Sequence, residues 1–318
     1  MNKLQSQFPI DAVITWVDGN DENHQKKIAD NITDTSLLKD LDFKTRFQQL
    51  NEIKFTVHSI IKYAPFVRNI FIVTDNQTPD FLAVKPERYK KVVIIDHRDI
   101  YTDNLLCLPV FNSRSIETKL YKIPGLAEHF IYFNDDILLN KVVSPSDFFR
   151  QGVPIIRGRW HRFKEDLFYK KIFRKKKNQK PGHIIAQEKS AKILGYKLFF
   201  RFHHTPHPMR VSTTRSFFTL NPSLEYSNSE PKFRSIDQFL MVGLANHLEI
   251  KKDQCVLKND YQLLHFRNYK KPLFWLKFKL NYLSQKQNRL FLNLQSLDQC
   301  PKLKQDFIMD WLAKKYAI

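Results

Sequence analysis

Short apolar runs alternate with helical patterns through the first half of the chain, and each run ends in acid. Four strands are predicted, at Ala12–Val17, Ile70–Val73, Val92–Ile95 and His129–Phe133. They are followed by Asp18, Asp75, Asp96, and the adjacent pair Asp135 and Asp136. Strands that alternate with helices form mostly parallel sheets with helices on both faces, so the pattern predicts an α/β fold. Ligands bind outside the carboxyl ends of such strands, which makes the acidic strand ends the predicted site.

Two predicted helices lie between these strands. A helix is predicted through Ile53, Val57 and Ile60, and another from about Ser113 to Pro124. The run Val153–Ile156 predicts a further strand.

Asp135 and Asp136 are the most informative of the acids. Adjacent carboxylates repel each other, so a chain that places them after an apolar strand needs a cation or a cationic partner there. An ordinary polar turn explains Asn134-Asp135-Asp136 equally well when the tripeptide is considered alone. The chain has only 7 glycines and neither of the common glycine-rich phosphate loops. Phosphates would therefore be held by a divalent metal on carboxylates and by Arg or Lys side chains.

Composition sets the size and the expected location of the protein. The 318 residues are 42% apolar, enough for a full core in one large domain or two modest ones. No apolar run approaches the ~18 residues of a spanning helix and no secretory signal is recognisable, so we expect a soluble or peripheral protein. Three scattered cysteines, in no zinc-binding spacing, predict a reduced setting. We expect the cytoplasm, with peripheral attachment at the inner face of the plasma membrane left open.

The positive charge is concentrated in the second half of the chain. Residues 1–150 carry 19 Lys and Arg against 20 Asp and Glu, whereas residues 151–318 carry 33 against 12. Residues 157–180 and the tail from His265 are both basic and rich in aromatic residues. Such segments bind polyanions or an anionic membrane, or they are solvated or packed parts of the domain. Nucleic acid would explain the basic half but not the acidic strand ends.

Three histidines occur close together in His203-His204-Thr205-Pro206-His207, and Arg210 follows. A zinc site is disfavoured because no cysteine lies near in the sequence and the prolines prevent helical pairing of ligands. A histidine on a rigid turn can act as a general base, because imidazole titrates near neutral pH. A hydrogen-bonded histidine of purely structural role is the alternative.

Arg234 directly precedes a predicted helix start. Ser235 and Gln238 form a capping-box pattern, which predicts a helix from Ser235 to about Leu248. The dipole at a helix N-terminus favours anions, so a guanidinium there predicts a phosphoryl-binding corner. An ordinary surface arginine is the alternative.

Four blocks of the chain carry a family resemblance. The first is Ile10-Asp11-Ala12-Val13-Ile14-Thr15-Trp16-Val17-Asp18-Gly19-Asn20-Asp21. The second includes Arg46-Phe47, Asn51-Glu52, Lys62-Tyr63-Ala64-Pro65, Ile70–Gln77, Phe111-Asn112-Ser113, Ile116-Glu117 and Phe133-Asn134-Asp135-Asp136. The third is His204-Thr205-Pro206-His207 with Phe233-Arg234 and Asp237, and the fourth is Asn259-Asp260. Together they resemble the Stealth family, bacterial capsule polysaccharide phosphotransferases related to the eukaryotic N-acetylglucosamine-1-phosphotransferase. In one departure, Leu257-Lys258 stand where the family commonly has Cys-Leu before Asn-Asp.

The resemblance implies a glycosyltransferase-like, GT-A-type sheet and a defined reaction. A sugar 1-phosphate would pass from a UDP-sugar, typically a UDP-N-acetylhexosamine, to a hydroxyl of a capsule glycan, forming a phosphodiester and releasing UMP. The expected partners are the UDP-sugar and a polyanionic glycan acceptor, with Mg²⁺ or Mn²⁺ as cofactor and no nucleic acid. A metal-dependent glycosyltransferase that releases UDP, and a basic nucleic-acid-binding protein, are the alternatives.

The expected division of the chain follows these blocks. A catalytic domain would cover residues 1–260, with a nucleotide-sugar half at 1–150 and a basic half at 151–260. A basic helical C-terminal region would cover 261–318, and its part from 265 is the candidate for contact with an anionic membrane.

The resemblance also implies roles for single residues. Asp135 and Asp136 would hold the metal, with Asp260 as a third ligand. His204 would deprotonate the acceptor hydroxyl, and Arg234 would steady the phosphoryl oxygens together with Arg210. Asp237, in the same block, is counted with them among the catalytic residues. The donor pocket would be lined by Trp16, Asp18, Gly19, Arg46, Asn51, Glu52, Asp75, Asn112, Ser113, Glu117, Asn134 and His207.

Overall fold

The computed structural model describes residues 6–32, 50–166, 182–267 and 269–317. Its strands are β1 (Ile10–Thr15), β2 (Val67–Thr74), β3 (Val92–Asp96), β4 (His129–Asn134), β5 (Ile137–Leu139), β6 (Phe149–Arg150), β7 (Val153–Arg162), β8 (Leu198–Phe202), β9 (His207–Arg210), β10 (Val256–Lys258), β11 (Leu263–Phe266) and β12 (Phe291–Leu294). Its α-helices are α1 (Glu22–Asn31), α2 (Glu52–Tyr63), α3 (Phe81–Val84), α4 (His97–Ile100), α5 (Ser113–Lys119), α6 (His183–Ile193), α7 (Val211–Leu220), α8 (Pro222–Ser229), α9 (Met241–Lys251), α10 (Leu273–Asn281) and α11 (Lys302–Tyr316).

The central sheet confirms the predicted α/β class. Its five strands lie in the order β3-β2-β1-β4-β9, and the first four are parallel while β9 runs antiparallel to β4. The four strands expected from the sequence are these four parallel strands, with bounds shifted by up to three residues. Thr15 is in register with both Val73 and Asn134. The carboxyl ends of β1, β2 and β4 therefore meet at one edge.

Apolar side chains cover both faces of this sheet, as the alternation of side chains along a strand requires. Ile14 and its neighbours on one face pack against Ile53, Val57 and Ile60 of α2. Val13, on the opposite face, belongs to a cluster that includes residues of α5 and α9. Helices thus lie on both faces, and the predicted helices at α2 and α5 are confirmed.

Two smaller sheets complete the described fold. The strand predicted at Val153–Ile156 continues to Arg162 as β7 and pairs with β6, β8 and β10. A third sheet joins β11 and β12 of the C-terminal region to β5, in the order β11-β12-β5. Helices α10 and α11 pack against these strands through a separate apolar cluster. The C-terminal region therefore contains helices, as expected. It also supplies β11 and β12 to the sheet that contains β5, the strand that starts directly after Asp136. The division of the chain at residue 260 stays a prediction.

The helix predicted from Ser235 starts in the wrong place, because α9 begins at Met241. Part of the capping-box bonding does form, since the Ser235 N–H donates to Gln238 Oε1 at 3.0 Å. The Gln238 side chain also donates to the Asn228 carbonyl oxygen at 2.9 Å, which ties this turn to the end of α8. The bonded groups therefore close a turn, and the chain stays non-helical through Leu240.

Two sequence predictions lie outside the described residues. Arg46 belongs to the segment 33–49, and the basic stretch 157–180 is described only to Asp166. Within the described ranges, no helix has the length and apolar character needed to cross a bilayer.

Candidate active site

The acid pair occupies the turn between β4, which ends at Asn134, and β5. Thr56 Oγ1 of α2 donates a hydrogen bond to the Asp135 carbonyl oxygen at 2.6 Å. From the other side, the Asn293 side-chain amide of β12 donates to the Asp136 carbonyl oxygen at 3.1 Å. The turn is thus held by its backbone, in a way that uses neither carboxylate.

Helix α2 lies along this turn with three polar residues on one face. Glu52, Thr56 and Ser59 are spaced four and three residues apart, which places them on the same side of a helix. Ser59 Oγ accepts the Leu139 N–H at 3.0 Å, so the helix holds β5 as well as the acid turn. Glu52 stands at the helix start, where its Oε2 accepts the Leu50 N–H at 2.8 Å.

Three carboxylates perturb one another at this edge. Burial raises the pKa of Asp135 well above its usual range, and the charges of Asp136 and Glu52 raise it further. Burial raises the pKa of Glu52 to about 7, although the Leu50 N–H opposes the shift. Neighbouring acids that cannot all ionise together create a demand for a cation.

His204 lies beside the acid pair, on the turn between β8 and β9. Its Nε2 is 3.6 Å from Asp136 Oδ1, and the two side chains are 28% and 20% exposed. Burial lowers the pKa of His204, but the carboxylates of Asp136 and Glu117 together raise it by more, so the net shift is upward. Burial alone would raise the pKa of Asp136, yet the His204 imidazole brings it below its usual range. The site thus contains a partly exposed imidazole whose pKa is raised by its acidic neighbours.

Glu117 of α5 and Arg234 extend the site. Tyr132 OH donates to Glu117 Oε1 at 3.2 Å and shares a hydrogen bond of 2.9 Å with Thr15 Oγ1. Burial raises the pKa of Glu117 to about 7, and the charge of Arg234 opposes part of that shift. The Arg234 guanidinium donates to Ser113 Oγ at 3.1 Å. One polar network therefore connects the ends of β1 and β4 to the predicted phosphoryl-binding arginine.

An open cavity of about 430 Å³ lies at the carboxyl ends of β1 and β2. Trp16 and Asp18 line it from the chain after β1, and Asn51 lines it from the start of α2. Gln77 also lines the cavity, and its side-chain amide bonds the Asp18 N–H at 2.8 Å and the Asp18 carbonyl at 3.0 Å. Asn51 has a left-handed backbone (φ 62°) and directly precedes Glu52. The cavity therefore adjoins the acid cluster.

The remaining residues predicted for the donor pocket have structural partners. Asp75 forms an ion pair of 2.9 Å with Lys27. Asn112 is 1% exposed and caps the start of α5, while Gly19 follows β1 with its carbonyl bonded by a side chain of α1. Burial holds the pKa of His207 well below its usual range, so this imidazole is neutral. A role for these residues in donor binding stays a prediction.

Arg210 and Asp237 have partners of their own. Arg210 Nε lies 3.0 Å from Glu249 Oε1, and its second nitrogen bonds the other oxygen of that buried carboxylate. Asp237 is 88% exposed and lies 3.3 Å from Lys189 Nζ. Both residues have these contacts without a substrate, and a catalytic role for either stays a prediction.

Asp260, the predicted third metal ligand, forms an ion pair with a buried arginine. Arg157 Nε lies 3.1 Å from Asp260 Oδ1, and Gln262 donates to Asp260 Oδ2 at 3.0 Å. A guanidinium at this distance competes with a metal ion for the same carboxylate. The metal role of Asp260 also stays a prediction.

Sequence reasoning missed several groups near the acid pair. The His183 ring centroid lies 6.4 Å from that of His204, and burial lowers the pKa of His183 to about 3. Arg114 directly follows the predicted site residue Ser113, and its position in the first turn of α5 could have indicated that it lies near the site. Asn293 and His265 belong to β12 and β11, two strands that were not predicted from the sequence. No local pattern indicates that these strands approach Asp136.

The acid pair fits a metal ion that is shared with substrate. Among the described residues, no three His, Cys, Asp or Glu side chains are grouped as ligands of one ion. Asp136 Oδ1 is a buried atom without a hydrogen-bond partner in that part of the chain. Mg²⁺ is commonly bound by one or two carboxylates plus substrate phosphates, and Mn²⁺ also favours carboxylate oxygens. Asp135 and Asp136 supply such a donor set.

Two family models match parts of the first half of the chain. The models of Stealth protein conserved region 1 and conserved region 2 match residues 8–32 and 46–155. The capsular polysaccharide phosphotransferase cps1A of Actinobacillus pleuropneumoniae is 45% identical over 152 residues, 47% of this chain and 40% of that protein. The exopolysaccharide phosphotransferase SCO2592 of Streptomyces coelicolor is 31% identical over 246 residues, 76% of this chain and 25% of that protein. The chain thus spans less than half the length of these relatives.

Solved structures with a related chain path include two sugar transferases. A galactosyltransferase LgtC complex with donor and acceptor sugar analogs has a TM-score of 0.46 at 10% identity, with 96% of this chain and 95% of that chain covered. The bifunctional glycosyltransferase WbbM has a TM-score of 0.49 at 8% identity, with 98% and 50% covered. The two matched regions contain Trp16, Asp18, Glu52, Glu117 and the acid pair. The chain thus carries conserved regions 1 and 2 of the Stealth proteins.

Proposed function

We propose that the protein transfers a sugar 1-phosphate from a UDP-sugar, in the first instance a UDP-N-acetylhexosamine, to a hydroxyl of a cell-surface glycan. The observation that carries the proposal is the 3.6 Å approach of His204 Nε2 to Asp136 Oδ1. It puts a base beside paired carboxylates at the edge where parallel sheets bind ligands. The relatives, which are named capsular and exopolysaccharide phosphotransferases, support the class of reaction.

Asp135 and Asp136 would hold the Mg²⁺ or Mn²⁺ ion. When bound, that ion neutralises diphosphate charge and polarises the phosphoryl oxygens. Glu52 contributes a further acidic group at this edge, and its influence on the pKa of Asp135 strengthens the demand for positive charge there. The backbone bonds from Thr56 and Asn293 keep the turn in place while the carboxylates bind.

The chain's own groups account for the proton and the developing charge. The acceptor oxygen attacks the β-phosphorus, the bond from that phosphorus to the bridging oxygen breaks, and UMP leaves with the bonding electron pair. His204 takes the hydroxyl proton at a ring nitrogen, and its raised pKa makes it a stronger base than an ordinary histidine. The five-coordinate centre carries its charge on oxygen atoms, so a guanidinium such as that of Arg234 stabilises it.

The cavity beside Trp16 and Asp18 would take the nucleotide end of the donor. Its volume of about 430 Å³ lies within the range of small-molecule sites. Trp16 is only 6% exposed, so its ring forms a fixed apolar wall. Gln77, in the chain that follows β2, bonds both the N–H and the carbonyl of Asp18. These two bonds fix the backbone beside Trp16.

Product analysis tests the reaction. Purified protein is incubated with a UDP-N-acetylhexosamine, Mg²⁺ and a short capsule oligomer, and the released nucleotide and the phosphorus NMR spectrum are recorded. UMP together with a new phosphodiester signal is expected. Release of UDP without that signal would show attack at the anomeric carbon, the reaction of a glycosyltransferase, and would overturn the proposal.

A neighbouring histidine provides a matched control for the proposed base. His204→Ala should lower kcat by ~10²–10⁴, the usual contribution of a general base. His203 lies next in sequence, but its ring packs edge-on to Tyr261 at a centroid distance of 4.9 Å. His203→Ala should therefore stay near wild-type turnover. If both variants turn over equally, His204 is not the base.

A further inference from the structure

A second cavity, of about 210 Å³, lies in the C-terminal region among β11, α10 and α11. Its wall contains Arg267, Lys271, Lys279 and Lys304, and it contains no Asp or Glu. None of these four residues forms an ion pair with a carboxylate in the part of the chain that the structure describes. Like charges around one concave space repel each other, and a bound anion relieves that repulsion.

Two of the cationic side chains of this basic cavity are held in position. Lys304 Nζ donates to the Tyr269 carbonyl oxygen at 2.6 Å. Lys279 Nζ lies 4.2 Å from the centre of the Phe266 ring. Burial lowers the pKa of Lys279, and the charge of Lys271 lowers it further. Side chains that are already ordered lose less conformational entropy when a ligand binds, so the cavity is prepared for an anion.

The basic cavity lies close to the acid pair through the third sheet. His265, which lines the cavity, is in register with Asn293, and Asn293 is in register with Ile137, the residue after Asp136. Two inter-strand spacings of ~4.8 Å separate His265 from Ile137 by roughly 10 Å. The same Asn293 also donates to the Asp136 carbonyl oxygen. An oligosaccharide bound in the cavity can therefore extend to the reacting centre.

Aromatic rings complete the wall of the basic cavity. Trp275 is 38% exposed, and Lys271 Nζ lies 4.8 Å from its ring centre. Phe266 and Tyr269 are buried behind it. Aromatic faces next to ammonium groups suit a ligand that combines apolar ring surface with negative charge, as a sugar phosphate does. A flat anionic membrane fits less well, because these cations surround a concave space.

We propose that the basic cavity binds a phosphodiester of the acceptor glycan and so positions the growing chain beside the acid pair. The inference rests on the proposed function for the identity of the anion, because sugar 1-phosphate transfer leaves a phosphodiester in the product. An acceptor that already contains such a group is then bound more tightly than a neutral one of the same length.

Acceptor kinetics provide the first test. Lys271→Gln should raise KM about 10-fold for a phosphodiester-containing oligomer, the loss of one charge-assisted hydrogen bond. The kcat, the KM for the UDP-sugar and the KM for a phosphate-free oligomer of the same length should not change. Lys302→Gln is the matched control, since Lys302 is 80% exposed, pairs with Asp306 and does not line the cavity. An equal change in KM for both oligomers would overturn the proposal.

Binding without turnover separates this inference from the proposed function. Isothermal titration of the phosphodiester oligomer, without UDP-sugar, should show binding that Lys271→Gln weakens about 10-fold. If the oligomer binds in this way but wild-type protein never forms UMP, the proposed reaction fails and the cavity assignment stands. If Lys271→Gln abolishes binding to phosphatidylglycerol vesicles and leaves oligomer binding unchanged, the cavity is a lipid site and the proposal is wrong.

Discussion

The acid turn and the basic cavity lie on either side of β5 and β12, and they concentrate opposite charges. In the acid turn, burial and neighbouring carboxylates raise the pKa of Asp135. In the basic cavity, burial and a neighbouring ammonium lower the pKa of Lys279. Asp135 and Lys279 are therefore each disfavoured in their charged form. The contrast indicates a ligand set that brings positive charge to one region and negative charge to the other.

The two regions also differ in how they are connected to the rest of the fold. The acid turn is bonded to the central sheet and to α2, within the matched conserved regions. The basic cavity is built from residues 265–304, beyond those regions. We infer that the acid turn performs the shared chemistry, whereas the basic cavity selects the acceptor. The following variants test this division.

The largest effect should come from the acid turn. Asp136→Asn should lower kcat by about 10³, because it removes a proposed metal ligand and the partner of His204. Thermal stability should change little, since the change removes both the repulsion with Asp135 and the ion pair with His204. UMP release and Mn²⁺ titration measure the two effects. Asp306→Asn, an exposed acid on α11, is the control and should behave as wild type. Unchanged Mn²⁺ affinity in Asp136→Asn would contradict the assignment.

Two arginines should separate chemistry from stability. Arg234→Ala should lower kcat by about 10² with little loss of stability, as expected when a charge-stabilising donor is removed. Arg210→Ala leaves the buried Glu249 carboxylate without its cationic partner and should cost about 3–5 kcal/mol of unfolding free energy. Urea unfolding and steady-state kinetics on both variants measure the loss of stability and the loss of kcat separately. If Arg210→Ala is stable but inactive, Arg210 belongs to the chemistry after all.

The central-sheet region should lose stability in mild acid. His97 at the start of α4 is 1% exposed, and neither ring nitrogen has a hydrogen-bond partner within the described residues. Burial lowers its pKa to about 4, below the ordinary value of 6.5, so the unfolded chain binds the proton more tightly. Its stabilising effect is complete above pH 6.5 and is lost as the pH falls, by about 2 kcal/mol at pH 5. His97→Gln should flatten the dependence of unfolding free energy on pH between 7 and 5. An unchanged slope would show that other groups account for it.

The smallest effect should come from the contact between the C-terminal region and β5. Tyr316 OH donates to the Leu139 carbonyl oxygen at 2.9 Å in a buried setting. Tyr316→Phe should cost about 1 kcal/mol of stability, the net value of one buried hydrogen bond. It should change kcat less than 2-fold, because α2 and Asn293 still hold the acid turn. Thermal unfolding and UMP release check both outcomes, and a large loss of kcat would show that β5 is set by α11.

The acid turn could be predicted from the sequence, whereas the basic cavity could not. Apolar runs such as Ile70–Val73 must become buried strands, and Asp135 and Asp136 then lie where parallel strands end. The apolar residues around α10 fit both helical and alternating spacing, so the strands β11 and β12 were not predicted. The pattern at Ser235 and Gln238 indicated local hydrogen bonds correctly, but the contact of Gln238 with Asn228 stopped the helix. Such long-range contacts have no signal in a local sequence pattern.

Helix α2 has a consequence for engineering. Thr56 and Ser59 of this helix hold the two ends of the loop that contains Asp135 and Asp136, through the Asp135 carbonyl oxygen and the Leu139 N–H. A graft of Asn134-Asp135-Asp136 into another scaffold would transfer the three residues without the helix that fixes their backbone, and the two carboxylates would then have no defined orientation. Any transplant or redesign of this loop therefore has to move the helix with it.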